Sequence, residues 1–248
     1  MRNAISFLTV LLCAAFVGSS LAQEKKLTSA KAKAAFDRAD KALNAVWTEA
    51  KKTLPESEFN KLKEDQRAWV EHRDYLARSP MYTGAESQDE LALDSPDYLE
   101  TAAGLAEERT QWLNGLVREW GADETITGVW TDSYGGSIEL VEREGQLHFV
   151  IQCVRGPTSH TGGLAGVAVW NEPIGWFSDK GREDAGDAEA NLSFILRGHK
   201  LEVVGANTGY YHGARAYFDG EYVKTSSLSA KAQAKIVKSA KAGEVPEE

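Results

Sequence analysis

The sequence predicts an α+β chain: an N-terminal three-helix antiparallel bundle followed by an antiparallel β-barrel or sandwich of about eight strands. Three observations lead there. From Ser29 to Trp120 apolar residues recur at spacings of three and four, and glycine occurs only at Gly84, Gly104 and Gly115. After Gly121 the pattern changes to short alternating apolar runs separated by glycine turns. No helical stretch interrupts those runs, so βαβ units are not expected.

The elements follow in order. Residues 1–22 read as a signal peptide, with an early Arg2, an uncharged apolar run from Ala4 to about Val17, and Ser20-Leu21-Ala22 before a cut at Gln23. The run is shorter than the roughly 20 residues a membrane span needs, so the chain is not expected to be an integral membrane protein. Cys13 follows Leu12, where a lipid-acceptor cysteine would follow a small residue. Residues 28–120 form the helical domain. Its first helix carries Phe36, Ala39, Leu43, Val46, Trp47, Ala50 and Leu54, and Pro55 ends it. Ser57 can cap a second helix running to about Arg78 with a stripe of Phe59, Leu62, Trp69, Val70 and Leu76. Ser95-Pro96 opens a third that Gly121 stops. The long acidic stretch between them, residues 79–94, has the length of a functional or mobile loop. Residues 126–224 form the β domain, with runs such as SIELVERE, QLHFVIQCV, NLSFILR and KLEVVGA. Residues 225–248 are Ala/Lys-rich with almost no large apolar residue and read as a loose tail or at most a marginal helix.

Composition narrows the function. A formal net charge of −9 disfavours nucleic acid and anionic membranes and would draw in a basic partner. With the leader removed, Cys153 is the remaining cysteine, so no internal disulfide forms and stability must come from packing.

On the second helix Gln66 and Arg73 project near the centre of the apolar stripe, and on the third Arg109 does the same. Asp40 and Asn44 lie at the border of the first helix's stripe. Buried guanidinium groups need carboxylates and satisfied hydrogen bonds. The expectation is an internal Asp40, Gln66, Arg73 and Arg109 network that fixes helix register, with Asp74 and Glu108 also in reach. The alternative is a ligand-binding role for the same residues.

The blocks ADKALNAVW, LKEDQRAWVEHRD and EERTQWL resemble the helical domain of the LprI family of lysozyme inhibitors, over about residues 28–120. The matching positions are Asp40, Leu43, Asn44, Gln66, Arg67, Trp69, Arg73, Asp74 and Arg109. The cysteines that family members generally carry near the end of helix two and before helix three are absent. The resemblance implies a helical domain and lysozyme as a partner. The β half resembles no family we name.

Within the β half, VRGPTSHTGG (154–163) and NTGYYHGARAYFDG (207–220) concentrate chemistry-bearing side chains. Arg155, His160, Asn207, Tyr210, Tyr211, His212, Arg215 and Tyr217 form a candidate binding surface, since Tyr and Arg pair broad faces with hydrogen-bonding ends. The alternative is a rim in which they satisfy one another. Phe149, Ile151 and Cys153 share one strand face, so the thiol reads as a buried small hydrophobe. Ser159-His160 has no Gly-x-Ser-x-Gly elbow, the five histidines show no metal-ligand spacing, and GGLAG precedes a strand. No cofactor or metal is expected, although His160, His212 and Asp219 remain a cross-loop metal alternative. The leading expectation is an exported envelope protein, periplasmic or secreted, that binds a basic protein such as lysozyme. The alternatives are a barrel that binds a glycan or small molecule with the helices as accessory, and an enzyme of unknown type.

Overall fold

The computed structural model describes residues 29–155, 160–183 and 185–246. The expected signal peptide lies outside the described residues. Helices α1 (Ser29–Thr53), α2 (Glu56–Arg78), the single-turn α3 (Pro80–Thr83) and α4 (Pro96–Val117) precede eight strands. These are β1 (Gly128–Thr131), β2 (Ser137–Arg143), β3 (Gln146–Arg155), β4 (His160–Asn171), β5 (Ile174–Ser178), β6 (Asn191–Arg197), β7 (Lys200–Ala206) and β8 (Gly220–Ser226). A 3₁₀ turn, Thr208–Tyr211, sits between β7 and β8, and α5 (Ala230–Ala242) follows.

In the helical half, α1 buries Ala32, Ala39, Leu43 and Ala50, and the small alanine side chains let it lie along Ala102, Ala103 and Ala106 of α4. The Ser95 hydroxyl accepts from Tyr98 N at 3.3 Å and caps α4 as expected. Ser57 does not cap α2, because Pro55 already bends the chain and the helix starts at Glu56 without a side-chain cap. The expected antiparallel bundle is also modified. Helix α2 packs chiefly on α4 and touches α1 only slightly, so α1 and α2 diverge and a groove opens between them. Val70, placed in the α2 stripe by periodicity, is accordingly exposed.

The strands form one closed antiparallel barrel in sequence order, with β1 pairing β8. Alternation sends Leu147, Phe149, Ile151 and Cys153 of β3 inward, where they meet Trp130, Ile138, Leu140, Leu192, Phe194 and Tyr222. Phe149 contacts Phe177 edge-on and Phe194 at a tilt, with centroids 5.0 and 4.9 Å apart. Large side chains thus fill the lumen. Cys153 is a buried free thiol, and burial pushes its pKa up, away from nucleophilic use.

One barrel end is stoppered by the link from α4. Trp120 packs on Trp130 at 5.6 Å, and Lys224 Nζ donates to Glu124 Oε1 at 2.6 Å and to Thr125 O at 2.7 Å. On the barrel wall, Val223 of β8 faces outward into the helical core beside Leu113 and Leu116. Gly115 makes that approach feasible, because a Cβ there would stand 2.8 Å from Lys224 O and 3.0 Å from Val223 Cγ2. The two halves therefore share a core.

The segment expected to be a loose tail, or at most a marginal helix, forms the docked helix α5. Ser229 Oγ accepts from Ala232 N, Gly243 ends the helix in the left-handed region, and Ile236 and Ala240 are buried. Ile236 joins Val141, Val150 and Ala165 on the outer face of β2–β4. A helix of this composition is marginal alone, and the outward apolar residues of the strands supply the missing face. His148, outward on β3, is buried beneath it for the same reason, and burial lowers its pKa.

Candidate functional site

The expected polar network is present in altered form, as two separate nodes. In the first, the Arg109 guanidinium lies 4.3 Å from the Trp112 ring centroid and 5.5 Å from that of Trp69, donates from Nε to Gln66 Oε1 at 2.9 Å, and pairs through Nη2 with Asp65. Its side chain is 1% exposed against 28% for Asp65. Burial pulls its pKa down while Asp65 pulls it back up. In the second, Arg73 donates from Nε and Nη2 to Asp74 Oδ1 at 2.9 and 2.7 Å, and Tyr98 Oη donates to the same oxygen at 3.0 Å. Burial is the main cause that raises the Tyr98 pKa, and the bond to Asp74 adds to it.

Two parts of the expectation are corrected. Asp40 bonds to neither guanidinium; its Oδ2 accepts from Asn44 Nδ2 at 3.0 Å on the same helix. Glu108 is not the partner of Arg109 either; it is exposed on α4 near Tyr82, while Arg109 bonds to Gln66 and Asp65. Asp65 was missed. It precedes Gln66 by 100° of helical turn, the stripe-border position that had pointed to Asp40, and only the closeness of α2 to α4 decides between them.

The α1–α2 groove has a volume of about 350 Å³. Asp40, Leu43, Asn44 and Trp47 line it from α1, and Lys63, Gln66, Arg67, Trp69, Val70 and Arg73 from α2. Most residues that carry the LprI resemblance therefore converge on this groove, and the remaining two, Asp74 and Arg109, hold Arg73 and Gln66 from behind. The network fixes packing on its α4 side and presents an open surface on its α1 side. Sequence periodicity pointed first to an interior network, with a ligand-binding role for the same residues as the alternative, and the open groove keeps both roles in one place.

At the barrel end opposite the Trp120 stopper, the two glycine-rich stretches do meet. Gly162 bridges to His212, and Gly213 N donates to Thr161 O at 3.0 Å. A Cβ on Gly162 would fall 2.2 Å from that of His212, so the contact requires glycine. His160 starts β4 opposite Arg155, which makes part of the expected GPTSHTGG loop a strand; residues 156–159 lie outside the described residues.

Several candidate surface residues are occupied by this rim. Arg155 is buried and points into the barrel, where its Nη1 pairs with Asp132 Oδ2 at 2.6 Å beneath the Tyr217 ring, so it is not surface. Its position follows from β3 alternation, which puts it on the same face as Cys153. Tyr211 Oη donates to buried Asp179 at 2.8 Å, and His212 Nε2 lies 3.0 Å from Thr208 Oγ1. Asn207 adopts the left-handed conformation and donates to Glu189 O at 3.1 Å. Tyr210, Arg215 and one face of Tyr217 remain exposed. Among the described residues no group of three His, Cys, Asp or Glu is placed to hold a metal ion. No helix among them is long and apolar enough to cross a membrane.

The helical geometry frames what comparison with known proteins found. Residues 19–113 match the family model of lysozyme inhibitor LprI. The described part of that LprI match, from Ser29, runs through α1, α2, α3 and most of α4, and stops before Gly115 and the barrel. No curated protein and no solved structure matches the chain.

Proposed function

We propose that the protein is an exported binding protein that inhibits lysozyme, with the LprI-like helices as the inhibitory part and the barrel as their rigid support. The observation that carries this reading is the LprI match over residues 19–113. The residues of the resemblance occupy a contiguous region of α1, α2 and α4, as a retained helical unit requires. The net charge of −9 adds a physical reason for capture, because lysozymes are commonly basic and opposite charge accelerates encounter.

The segment between α3 and α4 is the contact surface we favour. It presents Glu86, Asp89, Glu90 and Asp94, beside exposed Met81, Tyr82 and Leu93. Acidic groups around exposed apolar and aromatic side chains combine steering with buried contact area. Function resides in binding, so no catalytic group is assigned. The filled lumen leaves a ligand-holding barrel without a central chamber, which places that alternative behind the inhibitor reading.

The direct test is binding of a basic lysozyme by the purified chain, followed by biosensor at rising ionic strength. Association that slows with salt, and slows further in Glu86→Lys/Asp89→Lys/Asp94→Lys, supports the proposal. Unchanged binding in the triple variant removes the loop as the contact, and absence of binding to every lysozyme class removes the function.

A further inference from the structure

The groove between α1 and α2 has a charge that the proposed inhibitor role does not use. In a chain of net charge −9, it carries Lys63, Arg67 and Arg73 against the single carboxylate of Asp40. Arg73 is paired with Asp74, whereas Lys63 and Arg67 form no ion pair with any described residue. A basic lysozyme would be repelled here. The groove therefore calls for a different occupant, one that is anionic.

The rest of the lining indicates what kind of anion. Half-buried Trp47 contributes a flat apolar face, while Trp69 forms the buried base of the groove, held in place by the guanidiniums of Arg73 and Arg109 at 5.4 and 5.5 Å from its ring centroid. Beside them stand the planar polar groups of Asp40, Asn44 and Gln66. The Asn44 amide is oriented by Asp40 and the Gln66 carbonyl by Arg109 Nε, so both amides are fixed before a ligand arrives. Indole faces suit the C–H face of a pyranose ring, and paired carboxylate and amide groups suit vicinal hydroxyls, while the free cations suit a carboxylate. A volume near 350 Å³ lies within the range of small-molecule sites.

We infer that the α1–α2 groove binds a saccharide that bears a carboxylate, with Trp47 as stacking face and Arg67 and Lys63 as anion contacts. This site is separate from the acidic lysozyme contact and does not depend on it. A chain with both sites holds an acidic glycan and a basic glycan-cleaving enzyme on one scaffold.

The test is a titration of the purified chain, without lysozyme, followed by tryptophan fluorescence and by calorimetry. The probes are N-acetylmuramic acid and glucuronic acid, their uncharged counterparts N-acetylglucosamine and glucose, a short polyglutamate and inorganic phosphate. Either acidic sugar should bind at least ~10-fold more tightly than its neutral counterpart, the size of one lost charge-assisted hydrogen bond. Arg67→Ala should lower that affinity by a similar factor with an unchanged melting temperature, and Trp47→Ala should remove the fluorescence response. The two acidic sugars tell a wall-type from a uronic source. Equal binding of acidic and neutral sugars, polyglutamate or phosphate binding as tightly as the acidic sugars, or no binding at millimolar probe would each overturn the inference. So would an Arg67→Ala variant with full affinity.

Discussion

Replacing Asp65 with Ala isolates the polar element on which the helical packing rests. The substitution removes the carboxylate from a guanidinium that is 1% exposed, leaving the Gln66 carbonyl at 2.9 Å and the Trp112 face at 4.3 Å as its main compensation. Breaking a buried pair costs ~3–5 kcal/mol. Asp65 is itself 28% exposed, so water reaches the vacated edge and the low end applies, about 3 kcal/mol. For a fold of this size that corresponds to a fall in melting temperature of roughly 6–12 °C. Urea and thermal unfolding followed by circular dichroism read both numbers. Asp65→Asn, which keeps a neutral acceptor, should lose less. The double variant Asp65→Leu/Arg109→Met should recover most of the loss, since hydrophobic replacement of a buried pair is often neutral or stabilising. A loss below ~0.5 kcal/mol in Asp65→Ala would mean that the guanidinium is satisfied without its partner and that the pair does not hold the helices.

Other outcomes follow from the same structure. Gly115→Ala puts a methyl group 2.8 Å from Lys224 O, so it should cost ~1–3 kcal/mol in urea unfolding and speed proteolysis of the segment between α4 and β1. Ile236→Ala deletes a 2% exposed side chain from the α5 interface and should cost ~2–5 kcal/mol; a loss near zero would mean that α5 does not dock. The hydrogen bond from Lys224 is the main cause lowering the Glu124 pKa, so its stabilisation is present above the ordinary carboxylate range and is lost as pH falls through the folded pKa. The stability difference between the wild type and Glu124→Gln should therefore be largest at neutral pH and shrink below about pH 4. His148 has the opposite chemistry: burial, with Lys241 and Arg143 nearby, lowers its pKa, so the unfolded chain takes up the proton first. Stability should fall as pH drops below about 6.5, and His148→Leu should flatten that slope.

The fold was legible wherever one residue pattern had one solution. Alternation in β3 sorted Phe149, Ile151 and Cys153 inward, and strands joined by hairpin-length links left little choice but an antiparallel sheet. Closure came from β1 pairing β8, a long-range contact that no local pattern encodes. The docking of the terminal helix was not legible, because Ile236 and Ala240 form a face only when Val141, Val150 and Ala165 stand opposite. In the helical half, the stripe revealed that Arg73 and Arg109 point inward, but the choice of Asp65 over Asp40, and the divergence of α1 from α2, depend on how these two helices share α4 as a neighbour. Arg155 shows the same limit in the barrel. Its residue type invited a surface role, and its parity on β3, which was readable, sends it inside.

The most direct test of the account is the rate of muramidase lysis of bacterial cell walls with the purified chain added in increasing amounts. Inhibition of lysozyme gives a saturable fall in rate at low ionic strength that weakens as salt screens the acidic surface. Undiminished lysis by every lysozyme class, at protein in excess over enzyme and at low salt, would contradict it.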